Sequence, residues 1–169
     1  MEDEPSLLPS TPQPPAKWRG NFSVVVAGAT SDQVWPFLSD FCSFDKWMPG
    51  IDVCRLVEGI PGNPGLTRYC AANKTAPDGT ETTLWANERL LEIDPAEKFL
   101  TYKVVENNIG FKNYVATLRA IPTEGGCGIE WGFICDPADG WSEEDLKSYI
   151  DHSLKHIGKK MEDELALAA

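Results

Sequence analysis

The chain has 169 residues, 42% apolar and 10% aromatic. That suits one domain with a real core: a chain of this length buries roughly 70% of its unfolded surface and needs no metal or disulfide to hold it. Its net charge of −11 argues against nucleic acid and anionic membrane surfaces as partners, because both repel an acidic protein.

Residues 1–16 carry Pro5, Pro9, Pro12, Pro14 and Pro15 beside Glu2, Asp3 and Glu4. Such a stretch buries too little to offset its ordering entropy, so a disordered tail is expected, with the folded domain spanning 17–169. Lys17–Ala27 has Trp18, Phe22, Val24 and Val26 at even positions, the period of a strand. Thr30 or Ser31 then caps a short helix whose apolar side is Val34, Trp35, Phe37 and Leu38. Phe41–Met48 reads as a second short helix, stopped by Pro49-Gly50.

Six strand-like runs follow: Asp52–Glu58, Gly65–Ala72, Thr80–Ile93, Lys98–Glu106, Lys112–Pro122 and Cys127–Cys135. Turn-rich spacers such as Pro77-Asp78-Gly79 and Asn107-Asn108-Ile109-Gly110 separate them, and short spacers favour antiparallel hairpins. Ser142-Glu143-Glu144-Asp145 starts a final helix, with Leu146, Ile150, Leu154, Ile157, Met161 and Leu165 at helical spacing. The order predicts an α+β fold: a curved seven-stranded antiparallel sheet around one long C-terminal helix, with two short helices after strand 1. Curling that sheet round a single helix leaves room for a ligand cavity.

Strand parity selects the residues that face it. Leu66, Arg68, Cys70 and Ala72 share one face, as do Leu84, Ala86, Glu88 and Leu90. Leu100, Tyr102 and Val104 form a third such set, and Tyr114, Ala116, Leu118 and Ala120 a fourth. Glu88 is the weakest of these assignments, since Trp85 and Leu91 have the other parity. If the parity holds, Arg68 and Glu88 are opposite charges on neighbouring strands inside an apolar cup, tolerable only as a hydrogen-bonded pair. A carboxylate taken out of water is a stronger base, and a guanidinium can hold a developing oxyanion. The same pair could equally be a structural ion pair spanning two strands.

The remaining chemistry-bearing residues point elsewhere. Cys42, Cys54, Cys70, Cys127 and Cys135 lie at irregular spacings without a CxxC, which reads as free thiols in a reducing compartment. His152 and His156 are four apart on the last helix but beside its apolar stripe and without a third ligand, so no metal site is expected. Trp47 and Trp85 suit either the cavity or the core. The acidic start has no signal-peptide core, and no run approaches the ~18 apolar residues of a membrane span. A cytoplasmic protein without membrane insertion is expected, and a monomer.

The element order, with Lys17-Trp18-Arg19-Gly20 at its head, resembles the helix-grip fold of the START/Bet v 1-like superfamily. Within it, several stretches resemble the plant polyketide-cyclase-like branch that holds the lachrymatory factor synthases. They are Met48-Pro49, Leu56-Val57-Glu58-Gly59, Arg68-Tyr69, Trp85-Ala86-Asn87-Glu88-Arg89-Leu90, Tyr114-Val115-Ala116-Thr117-Leu118 and Ile157-Gly158-Lys159-Lys160-Met161-Glu162. The related hormone receptors carry a Ser-Gly-Leu-Pro-Ala gate where this chain has Thr75-Ala76-Pro77-Asp78-Gly79, and an anchoring lysine that Pro49–Val53 lacks.

The resemblance implies a cofactor-free isomerase that moves a proton within 1-propenesulfenic acid to give propanethial S-oxide, or a related small molecule. Arg68 and Glu88 would be the catalytic pair, and Tyr102, Tyr114, Leu84, Trp131 and Phe133 would surround the substrate. The alternative is a carrier of a hydrophobic plant metabolite, with the same residues anchoring the ligand.

Overall fold

The computed structural model describes residues 16–168. The proline-rich segment, apart from Ala16, lies outside the described residues. Seven strands run in chain order: β1 (Trp18–Ala27), β2 (Val53–Glu58), β3 (Thr67–Thr75), β4 (Glu81–Asp94), β5 (Phe99–Asn107), β6 (Lys112–Thr123) and β7 (Gly126–Asp136). They form one antiparallel sheet in the order β1-β7-β6-β5-β4-β3-β2, which leaves β1 and β2 as edges. Helix α1 (Ser31–Ser39) and a 3₁₀ helix (Phe41–Lys46) follow β1, and α2 (Glu143–Ala168) closes the chain. This is the α+β helix-grip architecture that the element order predicts.

Local chemistry explains most boundaries. Gln33 N–H donates to Thr30 Oγ1 while Thr30 N–H donates to Gln33 Oε1, a reciprocal cap that starts α1. Ser142 Oγ accepts from Asp145 N–H, and three acids fill the first turn of α2, where the helix dipole favours negative charge. Leu146, Ile150, Leu154, Ile157 and Met161 of α2 are buried on its sheet-facing side.

Two local expectations change. Phe41–Met48 is not an α-helix but a 3₁₀ helix ending at Lys46, with a non-helical Ser43 (φ −115°, ψ 24°). Phe41 and Phe44, three apart, thereby face the core together. And β3 continues past Ala72 to Thr75, paired with Glu81 across a tight hairpin, because Asn73, Lys74 and Thr75 all find ladder partners on β4. The segment Asn73–Thr75 is therefore sheet rather than loop.

Register shifts between Asn87 and Glu88, and again between Leu90 and Glu92, interrupt the β4–β5 ladder. Such bulges bend a strand and re-aim its side chains. They account for Leu91, exposed and off parity, while Glu88 and Leu90 keep the inner face. Trp85 is off parity for another reason: it stacks on Tyr69 on the opposite face, and the Arg55 guanidinium lies over that tyrosine ring.

α2 approaches the sheet most closely at Gly158. A Cβ there would lie 2.9 Å from both methyl carbons of Val24 on β1. A Gly158→Ala change gains about 1 kcal/mol of helix propensity but overpacks this contact at a cost of about 1–3 kcal/mol. We expect a net loss of stability in urea unfolding, recovered when Val24→Ala is added. A single variant as stable as the parent would show that helix and strand separate freely here.

Candidate ligand-binding site

β3 and β4 pair so that Arg68 stands directly opposite Glu88. Both side chains point inward by the period-2 rule. Arg68 is 1% exposed, the largest side chain to be so fully buried. Its Nε donates to Glu88 Oε1 at 2.8 Å, and its Nη1 donates to the Phe41 carbonyl, also at 2.8 Å. The guanidinium carbon sits 3.9 Å from the Phe41 ring centroid, 4.6 Å from that of Phe44 and 4.9 Å from that of Tyr102. Ring faces are negative, so this aromatic box favours the charge it encloses. Burial works against the guanidinium's charge, but the Glu88 carboxylate, together with the Cys70, Tyr102 and Cys54 groups around it, outweighs burial and holds Arg68 protonated.

Beside the pair lies a cavity of about 360 Å³ between the sheet and the first turns of α2. Cys70 and Ala72 of β3 and Leu84, Ala86 and Glu88 of β4 form one wall. Tyr102, Tyr114 and Trp131 form the next, and Leu146, Tyr149 and Ile150 of α2 the roof. Lys74, near the end of β3, also borders it. The lining is apolar except for a few convergent polar groups, the usual make-up of a small-molecule site. Burial raises the hydroxyls of Tyr102 and Tyr114 well above their ordinary values, and the nearby Glu88 charge adds to this, so both stay neutral donors at neutral pH. Trp131 Nε1 is buried with no hydrogen-bond partner among the described residues.

The structure thus groups Glu88, Tyr102, Tyr114, Leu84 and Trp131 around one space. Two expected site residues stand behind it. Arg68 does not border the cavity; it touches Glu88 from the far side, boxed in by Phe41, Phe44 and Tyr102. Phe133 is stacked under Tyr114 with ring centroids 5.7 Å apart, so the tyrosine covers the face it would have offered. Trp47 packs on Phe37 at 4.5 Å in the core. His152 and His156 are exposed, and no group of three His, Cys, Asp or Glu side chains converges among the described residues. All five cysteines are free thiols.

Parity reasoning misses the cavity's rim because loops build it. Asn107 Oδ1 accepts from the N–H groups of Ile109, Gly110 and Phe111, at 2.9, 3.0 and 3.0 Å. This Asx-type turn presents Ile109 and Phe111 to the cavity. Gly110 (φ +106°) is required there, since a Cβ would lie 2.1 Å from the Asp139 carbonyl oxygen. Trp141 Nε1 donates to the Ile109 carbonyl and completes the rim. The Asn-Asn-Ile-Gly string was the available signal: it marks a turn, but not which way its apolar residues face.

Comparison with known proteins agrees with this architecture. The family model described as polyketide cyclase / dehydrase and lipid transport matches residues 17–162. Among solved structures, XoxI from Bacillus cereus superposes with a TM-score of 0.67 at 24% identity, covering 91% of this chain and 99% of its own. An uncharacterized protein from Bacillus thuringiensis superposes with a TM-score of 0.65, also at 24% identity, covering 86% of this chain and 98% of its own. At these identities the likeness is one of fold.

Removing one partner of a buried ion pair strands the other, at a cost of about 3–5 kcal/mol. We expect Arg68→Met to lose stability on that scale in urea unfolding, and Arg68→Met/Glu88→Met to recover much of it. An Arg68→Met loss below about 1 kcal/mol, the scale of exposed pairs, would show that the pair does not organise the site.

Proposed function

Because the chain belongs to the polyketide cyclase / dehydrase and lipid transport family, we propose that it is a cytoplasmic binder of a small, mostly apolar molecule with one polar end. The observation that carries this reading is the single carboxylate, Glu88, set with two neutral tyrosine hydroxyls in an otherwise apolar wall. The apolar body of the ligand lies between Leu84, Ala86 and the α2 residues Leu146 and Ile150. Its polar end donates a hydrogen bond to Glu88 and accepts from Tyr102, Tyr114 or the unpartnered Trp131 N–H. Arg68 acts at one remove, fixing Glu88 in place and balancing its charge.

A neutral, environment-sensitive naphthalene dye tests the cavity. Ala86→Trp, which fills it, is expected to weaken dye binding by roughly tenfold or more, about 1.4 kcal/mol, with circular dichroism unchanged. Equal binding by that variant would place the ligand elsewhere. The polar end is tested by competing the dye with an apolar alcohol and its methyl ether. A hydrogen bond to a charged acceptor contributes about 1.5–3 kcal/mol, so the parent should prefer the alcohol by more than roughly tenfold and Glu88→Gln should lose most of that preference. An unchanged preference would remove Glu88 from the reading.

A second reading, an isomerase of the lachrymatory factor synthase type, is favoured by the placement of a carboxylate and two hydroxyls on one reacting centre. The Glu88 carboxylate would take the O–H proton of 1-propenesulfenic acid. The electrons would shift from oxygen through sulfur to the propenyl carbons, and the proton would return to the carbon distal to sulfur, giving propanethial S-oxide. The tyrosine hydroxyls would hold the oxygen as charge builds on it, a role the buried position of Arg68 leaves to them. A closed apolar pocket would keep water from the intermediate. General-base removal costs about 10²–10⁴-fold; product from wild type and a loss of that size in Glu88→Gln would establish the isomerase. No turnover at all would leave the binder, and turnover that survives the substitution would remove Glu88 as the base.

A further inference from the structure

The mutual position of Cys54 and Cys70 is used by neither reading. They face each other across the β2–β3 ladder, with Sγ atoms 3.5 Å apart and the Cys70 thiol donating toward Cys54. Opposed residues on antiparallel strands have Cα atoms ~4.5–5.5 Å apart, inside the ~4.4–6.8 Å range that a disulfide spans. Cys54 is half-buried on the edge strand, with its Sγ 3.9 Å from the Phe41 carbonyl oxygen. Cys70 is buried, borders the cavity and has its Sγ 3.8 Å from Glu88 Oε1. The two thiols are therefore in contact but unequal in burial: Cys54 is half-buried and Cys70 buried.

Their electrostatics are unequal in the same sense. The Cys70 hydrogen bond, with help from the Arg68 charge and against the effect of burial, lowers the Cys54 thiol from its ordinary value. That favours the thiolate, the nucleophilic form, at Cys54. Donation to Cys54 and burial push Cys70 strongly upward, so it remains a thiol until its partner reacts. A reactive thiolate poised beside a second, resolving cysteine is the arrangement expected of an oxidation site. Cys42, also half-buried, is pushed up by burial and by Cys54, so it does not compete as the first nucleophile.

We propose that Cys54 and Cys70 are a peroxide-reactive dithiol that closes into a disulfide between the edge strand and the cavity wall. The Cys54 thiolate attacks one oxygen of hydrogen peroxide, and the O–O bond breaks. This gives Cys54 sulfenic acid and hydroxide, which takes up the proton Cys54 had released and leaves as water. The Cys70 sulfur then attacks the Cys54 sulfur; the S–O bond breaks as the S–S bond forms, and the departing hydroxide leaves with the Cys70 proton as a second water. In sum, two thiols lose two electrons and one peroxide becomes two waters. Closure stitches β2 to β3 and removes the Cys70 thiol proton from the cavity wall beside Glu88.

The test treats the reduced full-length chain with one equivalent of hydrogen peroxide, followed by intact-mass measurement, thiol counting and peptide mapping. We expect two of the five thiols to disappear, a loss of two hydrogens, a Cys54–Cys70 cross-linked peptide and a higher unfolding midpoint. Cys54→Ser should abolish all of this, and Cys42→Ser should change none of it. Cys70→Ser, or Cys70→Ala should the serine variant be poorly folded, should halt at a Cys54 sulfenic acid trapped by dimedone. Oxygen adducts without the cross-link in the parent, a cross-link through Cys42, or no reaction at a rate above that of free cysteine would each overturn the proposal.

Discussion

A guanidinium that is 1% exposed is the constraint around which the inner half of this molecule is arranged. Leaving that charge bare in an apolar core would cost several kcal/mol, and its neighbours compensate it at Nε and Nη1, while Nη2 has no hydrogen-bond partner among the described residues. The 3₁₀ helix supplies the Phe41 carbonyl and two rings, β4 supplies the Glu88 carboxylate, and β5 supplies the Tyr102 ring. Three segments distant in sequence are thereby registered on one side chain. Among the described residues, Glu88 is the only carboxylate lining the cavity, and it is the one that Arg68 balances there. The polar spot in the cavity and the order of the surrounding elements thus share one electrostatic origin.

Much of this was legible from period-2 spacing. Parity put Arg68 and Glu88 on the inner face of neighbouring strands and placed Tyr102 and Tyr114 on the same concave surface, and the apolar stripe from Leu146 to Met161 specified the helix that the sheet wraps. Depth was not legible. Parity gives the face of a strand a residue occupies but not what is stacked above it, so Arg68 and Phe133 read as cavity residues although Glu88 and Tyr114 cover them. The β4–β5 bulges were invisible because nothing in Leu90-Leu91-Glu92 distinguishes an inserted residue from an alternating one. The rim was hidden for a related reason: it rests on the Asn107 side chain capturing three backbone N–H groups, a tertiary-scale choice made by a residue that reads only as turn-forming.

The cavity has a mechanical cause as well as a chemical one. α2 lies on β1 at the Gly158–Val24 contact, while its first turns, at Leu146, Tyr149 and Ile150, stand off the sheet. The eight residues from Ile150 to Gly158 span about 12 Å of helix. A helix seated at one point and lifted at the other bounds a wedge, and the wedge is the ligand space. Large rings, Tyr114 and Trp131 among them, floor that wedge, and the Asn107 loop and Trp141 narrow its mouth. Size, shape and polarity of the cavity therefore come from three separable sources: the helix seat, the aromatic floor and the Arg68-anchored carboxylate.

The edge position of β2 carries a consequence of a different kind. It is hydrogen-bonded on one side only, and its Val53, Leu56 and Val57 side chains remain substantially exposed. A strand held by one ladder and little apolar burial can detach without unfolding the rest, so its amides belong to the least protected class of the sheet in hydrogen exchange. Its opening is set by the local stability of six residues rather than by the global fold.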